Sequence, residues 1–489
     1  MVSCIAKIEL ENLTYTIPGG FNATPYSTKL GLWELPRAQS FKGLWRWWLR
    51  ALLSGALWES EKLDEEKIRQ ISGNILGSTD HASKFIVHIS AKGEAEPVKP
   101  QAIREWKRLW RDRRLRRQLT TRPSALFTSL PTSPPIPSLP PRLFLLLQAR
   151  ETNERLAEKI SCYPPGNLKI VIELLKRPFI TVSSEESSIV VSSFLLSLIL
   201  GGVGAIIRRG FGSLSFISVE LHNDIQKYEY IIDEIKRASE PNNIYNLLIE
   251  FIQESLSDAR KLLGVKSSTS SSGIPDYPLL SIPGDPPRTL KPFNLNIFKL
   301  VIPNITSNEK RAFQLLGFKD YEAMKLLTMI GYSTTKLFWK LIGGEKFNVP
   351  GSPYETWVMG LPRGQKFDKR ELRVPYFNID LYEDSSYVGK VRRDTLKTGY
   401  SLDDEGGRRI SAISIKPIKR LGKNSWIIAL YGFLSKDWYD ELYHYGVTPP
   451  PKSKRKDYQV KRQRLLPSEG VSKAFVKAWI KLKKIYGVT

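Results

Sequence analysis

The sequence predicts an α+β chain of tandem domains, on three observations. Short stretches of apolar–polar alternation recur in both halves, as at Ile8-Glu9-Leu10 and Leu168–Leu174. Between them lie long segments with apolar residues at helical spacing, the clearest from Phe41 to about Trp58. A Ser-, Pro- and Gly-rich stretch at Lys266–Pro287 then divides the 489 residues into two parts.

The elements follow in order. Cys4–Leu13 alternates as a strand does, and a Gly/Pro/Thr-rich loop, Pro18–Pro36, comes after it. Ser40 is placed to cap the helix that begins at Phe41, where Leu44, Trp47, Trp48, Ala51 and Leu52 have helical spacing. Lys84–Ser90 alternates with Phe85, Val87 and Ile89 on one face, and Leu168–Leu174 does the same. An apolar helix over about Ile189–Leu200 and a last strand, Ser213–Leu221, complete a β-α-β-β-α-β series. That series is the ferredoxin-like arrangement, shared with RNA-recognition modules. The expected organisation is therefore tandem ferredoxin-like (RRM-like) domains with helical and proline-rich insertions. Residues 1–222 form the first domain, interrupted over about 92–142 by the basic run Arg104–Arg117 and the proline-rich arm Pro123–Pro141. Residues 223–287 form a helical bridge and a Ser/Pro-rich linker. Residues 288–489 form a second, more divergent domain, with strands at Asn294–Ile302, Arg409–Ile418 and Trp426–Phe433, helices from Glu309 to about Leu341, and a closing basic helix, Val471–Tyr486.

Charge narrows the partners. There are 74 Lys+Arg against 49 Asp+Glu, a formal net charge of +25, which favours polyanions. Nucleic acid is the first such partner and an anionic membrane surface its rival. Two cysteines, Cys4 and Cys162, exclude a disulfide framework and a CxxC metal knuckle. The histidines, His81, His88, His222 and His444, have no ligand spacing, so no metal and no cofactor are expected. Met1–Lys7 lacks a signal pattern, and a cytoplasmic setting is the expectation. Ile189–Ile207 is uncharged and long enough to raise a membrane span, but its serines and Gly201-Gly202-Val203-Gly204 fit a buried helix running into a glycine loop better.

Two motifs carry the candidate chemistry. Lys42, Arg46 and Arg50 lie four apart and form one cationic strip on a helix that is otherwise apolar. Such a strip either meets phosphate through arginine forks or is a solvated face paired with carboxylates. In Gly201-Gly202-Val203-Gly204-Ala205-Ile206-Ile207-Arg208-Arg209-Gly210-Phe211-Gly212-Ser213, the glycines permit close backbone approach and Arg208 and Arg209 add charge. Phe211 is placed to stack on a base. The bland alternative is a glycine connection that lets helix and strand pack closely. The spacing is neither a Walker loop nor GxGxxG. The tryptophans of the first motif read as core, and the run Lys452–Arg464 as a mobile basic loop with non-specific phosphate affinity. Asp403-Asp404-Glu405 is a carboxylate cluster but sits in a glycine-bounded turn, so catalysis has little support.

Together these motifs resemble the RAMP superfamily of CRISPR proteins, and within it the first-subunit family of the type III-B Cmr RNA-targeting effector. The family's G-x-x-R-W-W-x-R-A is met by Gly43–Ala51, and its G-G-x-G-x-x-x-R-R-G-F-G-S by Gly201–Ser213. Its F-G-S-T becomes Leu76-Gly77-Ser78-Thr79, and its R-R-x-S-x-x-x-I-K is met at Arg408–Lys416, where Ala412 departs from a frequent proline. The resemblance implies a non-catalytic, cofactor-free RNA-binding subunit that contacts guide RNA near its 3′ part, or target RNA, among other Cmr subunits. Nuclease subunits of that family carry a catalytic aspartate in the loop after their first strand; Pro18–Pro36 holds no Asp. The expected RNA contacts are Lys42, Arg46, Arg50, Arg208 and Arg209, with Gly201, Gly202 and Gly204 shaping the groove and Phe211 stacking. The alternatives are a metal-independent guide-processing endoribonuclease and a membrane-associated basic protein.

Overall fold

The computed structural model describes residues 3–18, 26–27, 32–33, 35–58, 63–97, 161–222, 225–266, 273–334, 356–360, 365–368, 378–383, 386–388, 395–401, 411–438, 442–448 and 457–488, with 140, 143 and 339. The Arg104–Arg117 run, nearly all of Pro123–Pro141, Asp403–Glu405 and Arg408–Ile410 lie outside the described residues.

Strand β1 (Ser3–Asn12) buries Ala6, Ile8 and Leu10 and turns Lys7, Glu9 and Glu11 outward, as its alternation requires. The loop after it holds the short hairpin β2 (Tyr26–Ser27) and β3 (Leu32–Trp33). Helices α1 (Ala38–Trp58) and α2 (Glu65–Leu76) follow, the second capped by Asp64, whose side chain accepts from the Lys67 amide. Next come β4 (Phe85–Gly93), the small ladder of β5 (Glu96–Pro97) and β6 (Ser161–Cys162), and β7 (Leu168–Lys176). Helix α3 (Ser184–Leu196) opens on a Ser183/Glu186 capping box and runs into a π turn, Ser197–Gly201. Strand β8 (Leu214–Leu221) closes the series. The four long strands lie in the order β8–β1–β7–β4, each antiparallel to its neighbour.

Helix α3 explains the membrane-like stretch. It is apolar all round because it is buried all round: 83% of the window Ser184–Gly201 is covered by protein. Its serines stay inside by donating to their own helix, Ser193 to Val190 O at 3.1 Å and Ser197 to Phe194 O at 2.6 Å.

Helices α4 (Gln226–Arg237) and α5 (Pro241–Leu263) bridge to the second half. There β9 (Phe293–Val301), α6 (Ser307–Leu315) and α7 (Tyr321–Ser333) are followed, after a 3-10 turn at Thr356–Met359, by β10 (Gln365–Asp368), β11 (Asn378–Glu383), β12 (Ser386–Val388) and β13 (Thr395–Ser401). Strands β14 (Ile413–Gly422) and β15 (Ser425–Phe433) come next, then β16 (Leu442–Thr448), β17 (Asp457–Leu465) and the closing helix α8 (Pro467–Tyr486).

One sheet, β14–β15–β9, is antiparallel and buried on both faces. Phe293, Leu295, Tyr431 and Phe433 face the helices of the first half, while Phe298, Leu300, Trp426 and Leu430 face α7 and α8. Two-sided burial is why Trp426–Phe433 reads as a continuous apolar run rather than an alternation. The stretch 273–287 is not an exposed tether. Leu279 and Leu280 are fully buried, and the Leu280 carbonyl passes so close to Gly55 that a Cβ there would lie 1.7 Å from it.

A second sheet, in the order β10–β13–β16–β17–β11–β12, was not expected. It corrects the reading of Lys452–Arg464 as a basic loop: Asp457–Leu465 is a strand paired antiparallel with β16 and parallel with β11. Charge drew attention away from the alternating pair Tyr458 and Val460.

Candidate nucleic-acid interface

Helix α1 presents different faces to different neighbours. Phe41, Trp45, Trp48, Leu49 and Leu52 are buried in the core, and the Trp45 indole donates to Val190 O and Ser193 Oγ, both at 3.0 Å. The tryptophans therefore read correctly as packing residues, with Trp47 only partly covered and edge-on to Phe433 at 5.0 Å.

The strip Lys42, Arg46 and Arg50 faces α2 and the loop behind it. Arg46 Nη2 donates to Leu76 O at 3.1 Å and Gly77 O at 2.7 Å, satisfying carbonyls at the C-terminus of α2. Arg50 Nε donates to Ser72 Oγ at 3.1 Å. A fourth cation, missed from sequence, joins them: Arg177, just past β7, donates through Nε to Ser83 O at 2.8 Å in the same loop. Lys42 has its pKa lowered, first by burial and then by the neighbouring Arg46 and Arg177. Among the described residues, no carboxylate forms an ion pair with any of the four. Each arginine is thus anchored along one edge by a neutral oxygen and keeps further N–H donors for a ligand. Glu65 is within electrostatic reach of Arg50 without forming an ion pair with it.

The glycine loop does something else. Gly201 packs under Leu44, Gly204 (φ +94°) under the Ile17 carbonyl, and Gly212 (φ +62°) lies where a Cβ would be 1.8 Å from Val203 O. Close approach within the fold, of the Leu44 side chain to Gly201 and of backbone to backbone at Gly204 and Gly212, explains these glycines, and Gly202 (φ +114°) abuts Gly212 O and Lys416. Two assignments are corrected. Phe211 is 1% exposed and belongs to the second core, so it is not available for stacking. Arg209 is 5% exposed and works as a strut: Nη1 donates to Arg208 O at 2.9 Å and Ile413 O at 3.2 Å, Nη2 to Met359 O at 2.7 Å and Ser411 Oγ at 3.3 Å. Two arginines beside glycines look alike in sequence whether their donors meet phosphates or distant carbonyls.

Arg208 keeps an intermediate place. It donates to Ser411 O and lies 5.9 Å from the Trp47 ring centroid, at the wall of a cleft of about 630 Å³ between the two halves. Gly43, Trp47, Ile207, Gly360 and Phe433 also line it. Nearby, Lys416 of β14 is buried in the seam, donates to Leu198 O at 3.2 Å, and is pushed down to about 7 by desolvation. The structure therefore divides the expected site in two. Lys42, Arg46 and Arg50 gather with Arg177 on the α2 side of α1, and Arg208, Arg209 and the glycines form the seam on another side.

The outer face of the first sheet is a poor polyanion surface. It carries Lys7, Lys92 and Lys169 against Glu9, Glu11, Glu173 and Glu220, with Lys7 opposite both Glu173 and Glu220. Its ring at these registers is the His88 imidazole, 3.1 Å from Glu173 Oε2 and so set among carboxylates, whereas RNA-recognition modules stack bases on aromatic rings beside cations. Among the described residues no group of His, Cys, Asp or Glu side chains is placed to hold a metal ion.

No curated protein matches the chain by sequence. Among solved structures, Cmr1 from Pyrococcus furiosus in its apo form is 16% identical, with a TM-score of 0.42 and 90% of each chain covered. A chain of the type III-B Cmr-beta assembly bound to cognate target RNA and AMPPnP is 14% identical, with a TM-score of 0.48, covering 99% of this chain and 98% of that one. A second Cmr-beta structure bound to cognate target RNA is 15% identical, with a TM-score of 0.43, covering 98% and 99%. Residues 37–215, from the approach to α1 through the glycine loop into β8, match the family model described as RAMP superfamily.

Proposed function

We propose that the chain is a non-catalytic RNA-binding subunit of a type III-B CRISPR (Cmr) effector ribonucleoprotein, acting in the cytoplasm on guide RNA, target RNA or both beside other Cmr subunits. The finer fold reading belongs to the same proposal. The first sheet's order supports a ferredoxin-like domain, and β14–β15–β9 supports a second one that lacks a fourth strand among the described residues. One observation carries the RNA reading: Lys42, Arg46, Arg50 and Arg177 converge without an ion-paired carboxylate among the described residues, the three arginines being oriented by neutral oxygens. Oriented, uncompensated forks suit phosphate oxygens. Membrane binding has no such support, because the apolar stretch is the buried helix α3.

The test is single-stranded RNA affinity against salt. Replacing Arg46, Arg50 and Arg177 by glutamine, singly and together, should weaken binding and flatten the log–log salt dependence by roughly 0.7 for each phosphate that is no longer engaged. Wild-type affinity and slope in the triple variant, with its fold intact, would sink the assignment.

A second reading keeps one specific observation. His81 lies in the loop between Gly77 and Ser83 that Arg46 and Arg177 clamp, where an imidazole could serve a 2′-hydroxyl. Incubation with guide-precursor RNA in EDTA separates the two: discrete products that disappear in His81→Ala favour cleavage, and intact RNA favours binding alone.

A further inference from the structure

Phe179 is fully exposed, at 107% of its reference area. It also has φ +62°. It occupies the third place of the turn Arg177-Pro178-Phe179-Ile180, between β7 and α3. Proline in second place followed by positive φ is the type II pattern, which favours glycine or asparagine at the position where this chain has a bulky ring. The conformation costs free energy, and burial returns none of it, because the ring touches no core. Strain without packing benefit points to a task outside the folded chain.

The surroundings say what kind of task. Two residues earlier stands Arg177, which is within electrostatic reach of Lys42, itself beside Arg46. In the first turn of α3, Glu186 pairs with Lys84 at 2.6 Å and closes the α3 capping box with Ser183. An exposed ring beside cations without carboxylate partners is the pairing that single-stranded nucleic acid uses, phosphates on the charges and a base on the ring. On the outer sheet face the His88 imidazole lies 3.1 Å from the Glu173 carboxylate, beside acidic rather than cationic neighbours, whereas the Phe179 ring stands next to the cations.

We infer that Phe179 is a stacking platform for an unpaired base of the RNA whose backbone lies on Lys42, Arg46 and Arg177. This rests on the RNA-binding reading above. The strained turn holds the ring outward, ready for a base, and the base covers the apolar surface that the fold leaves bare.

The experiment measures the affinity of full-length protein for a short single-stranded RNA, some strands carrying 2-aminopurine as a fluorescent base. Phe179→Ala should lose roughly 5- to 150-fold in affinity, the span of base–aromatic stacking. Its salt slope should stay at the wild-type value, since every phosphate is still engaged. Phe179→Trp should retain binding, and 2-aminopurine quenching should disappear in the alanine variant. Phe179→Gly is the fold control: its thermal midpoint should match or exceed wild type, because glycine relaxes the positive φ. Wild-type affinity in Phe179→Ala overturns the inference. So does loss of a partner subunit with RNA affinity intact, which assigns the ring to a protein interface. If the Arg46, Arg50 and Arg177 variants lose affinity while Phe179→Ala does not, the stacking role alone falls. If none of them changes affinity, the RNA reading falls with it.

Discussion

Arg209→Ala separates a structural arginine from an RNA-contacting one. The guanidinium is buried and serves four oxygens, those of Arg208, Ile413, Met359 and Ser411. Three of the four belong to the second half of the chain, and the backbone bridge between Arg209 and Ile415 lies beside them. Truncation leaves the carbonyls of Ile413 and Met359 without this donor in a site closed to water. A hydrogen bond to a charged group contributes about 1.5–3 kcal/mol, and an acceptor stranded in the interior costs about 1–3 kcal/mol. These terms share one side chain and do not add. A loss of about 3–5 kcal/mol is therefore expected, the range for breaking a buried charged network. Urea denaturation of wild type, Arg209→Ala and Arg209→Lys reads it as midpoints, with RNA affinity measured on the folded fraction of each. Arg209→Ala should unfold at markedly lower urea, and its folded fraction should bind RNA as wild type does. An unchanged midpoint together with weakened RNA binding would refute the strut and restore Arg209 as an RNA-binding residue.

Two further outcomes follow from the seam. Burial pushes Lys416 from 10.5 down to about 7, with no charged partner to offset it. Between those values the unfolded chain holds the proton and the folded chain does not, so this residue makes stability rise with pH across that window. Lys416→Met should therefore stabilise by up to about 4 kcal/mol at or below pH 7, after about 1 kcal/mol for the lost bond to Leu198 O, and by nothing near pH 10.5; a gain independent of pH would contradict it. Gly212→Ala puts a Cβ against Val203 O at a positive φ, and its thermal midpoint should fall by an amount equivalent to about 2–3 kcal/mol. A midpoint within error of wild type would show that the loop yields.

The strands of the first sheet were legible because one face is buried and the other wet. Leu168, Ile170, Ile172 and Leu174 record that asymmetry directly. The caps were not: Ser40, expected to cap α1, lies inside a helix that begins at Ala38, and the capping boxes at Ser183 and Thr306 were not read. What sequence did not show is the meeting of distant segments. Ser411 and Met359 hold Arg209 from 202 and 150 residues away, and nothing near Arg209 in the chain announces them. Arg177 escaped notice because it stands alone, with no neighbouring motif, and becomes part of the cationic group only when β7 ends beside the loop at Ser83. Phe179 left one faint trace, a proline followed by a ring where a turn prefers glycine.

The choice of anchors explains how α1 carries a function at all. Gathering Lys42, Arg46, Arg50 and Arg177 costs free energy, and the depressed pKa values of Lys42 and Arg50 express both burial and mutual repulsion. A carboxylate beside them would relieve the repulsion, as Asp320 and Glu322 do for Arg420 at 2.7 and 2.6 Å, but it would also cancel the field. A carbonyl or hydroxyl orients a guanidinium and leaves its full charge in place. Leu76, Gly77, Ser72 and Ser83 supply such oxygens, so the geometry is fixed without an ion pair among the described residues, and Glu65 offsets Arg50 only from a distance. The helix bears the strain because its other faces are locked, by Trp45 into α3 and by Trp47 and Trp48 against Phe433. Under the proposed function, an RNA phosphate supplies the anion that this strip does not meet as an ion pair among the described residues.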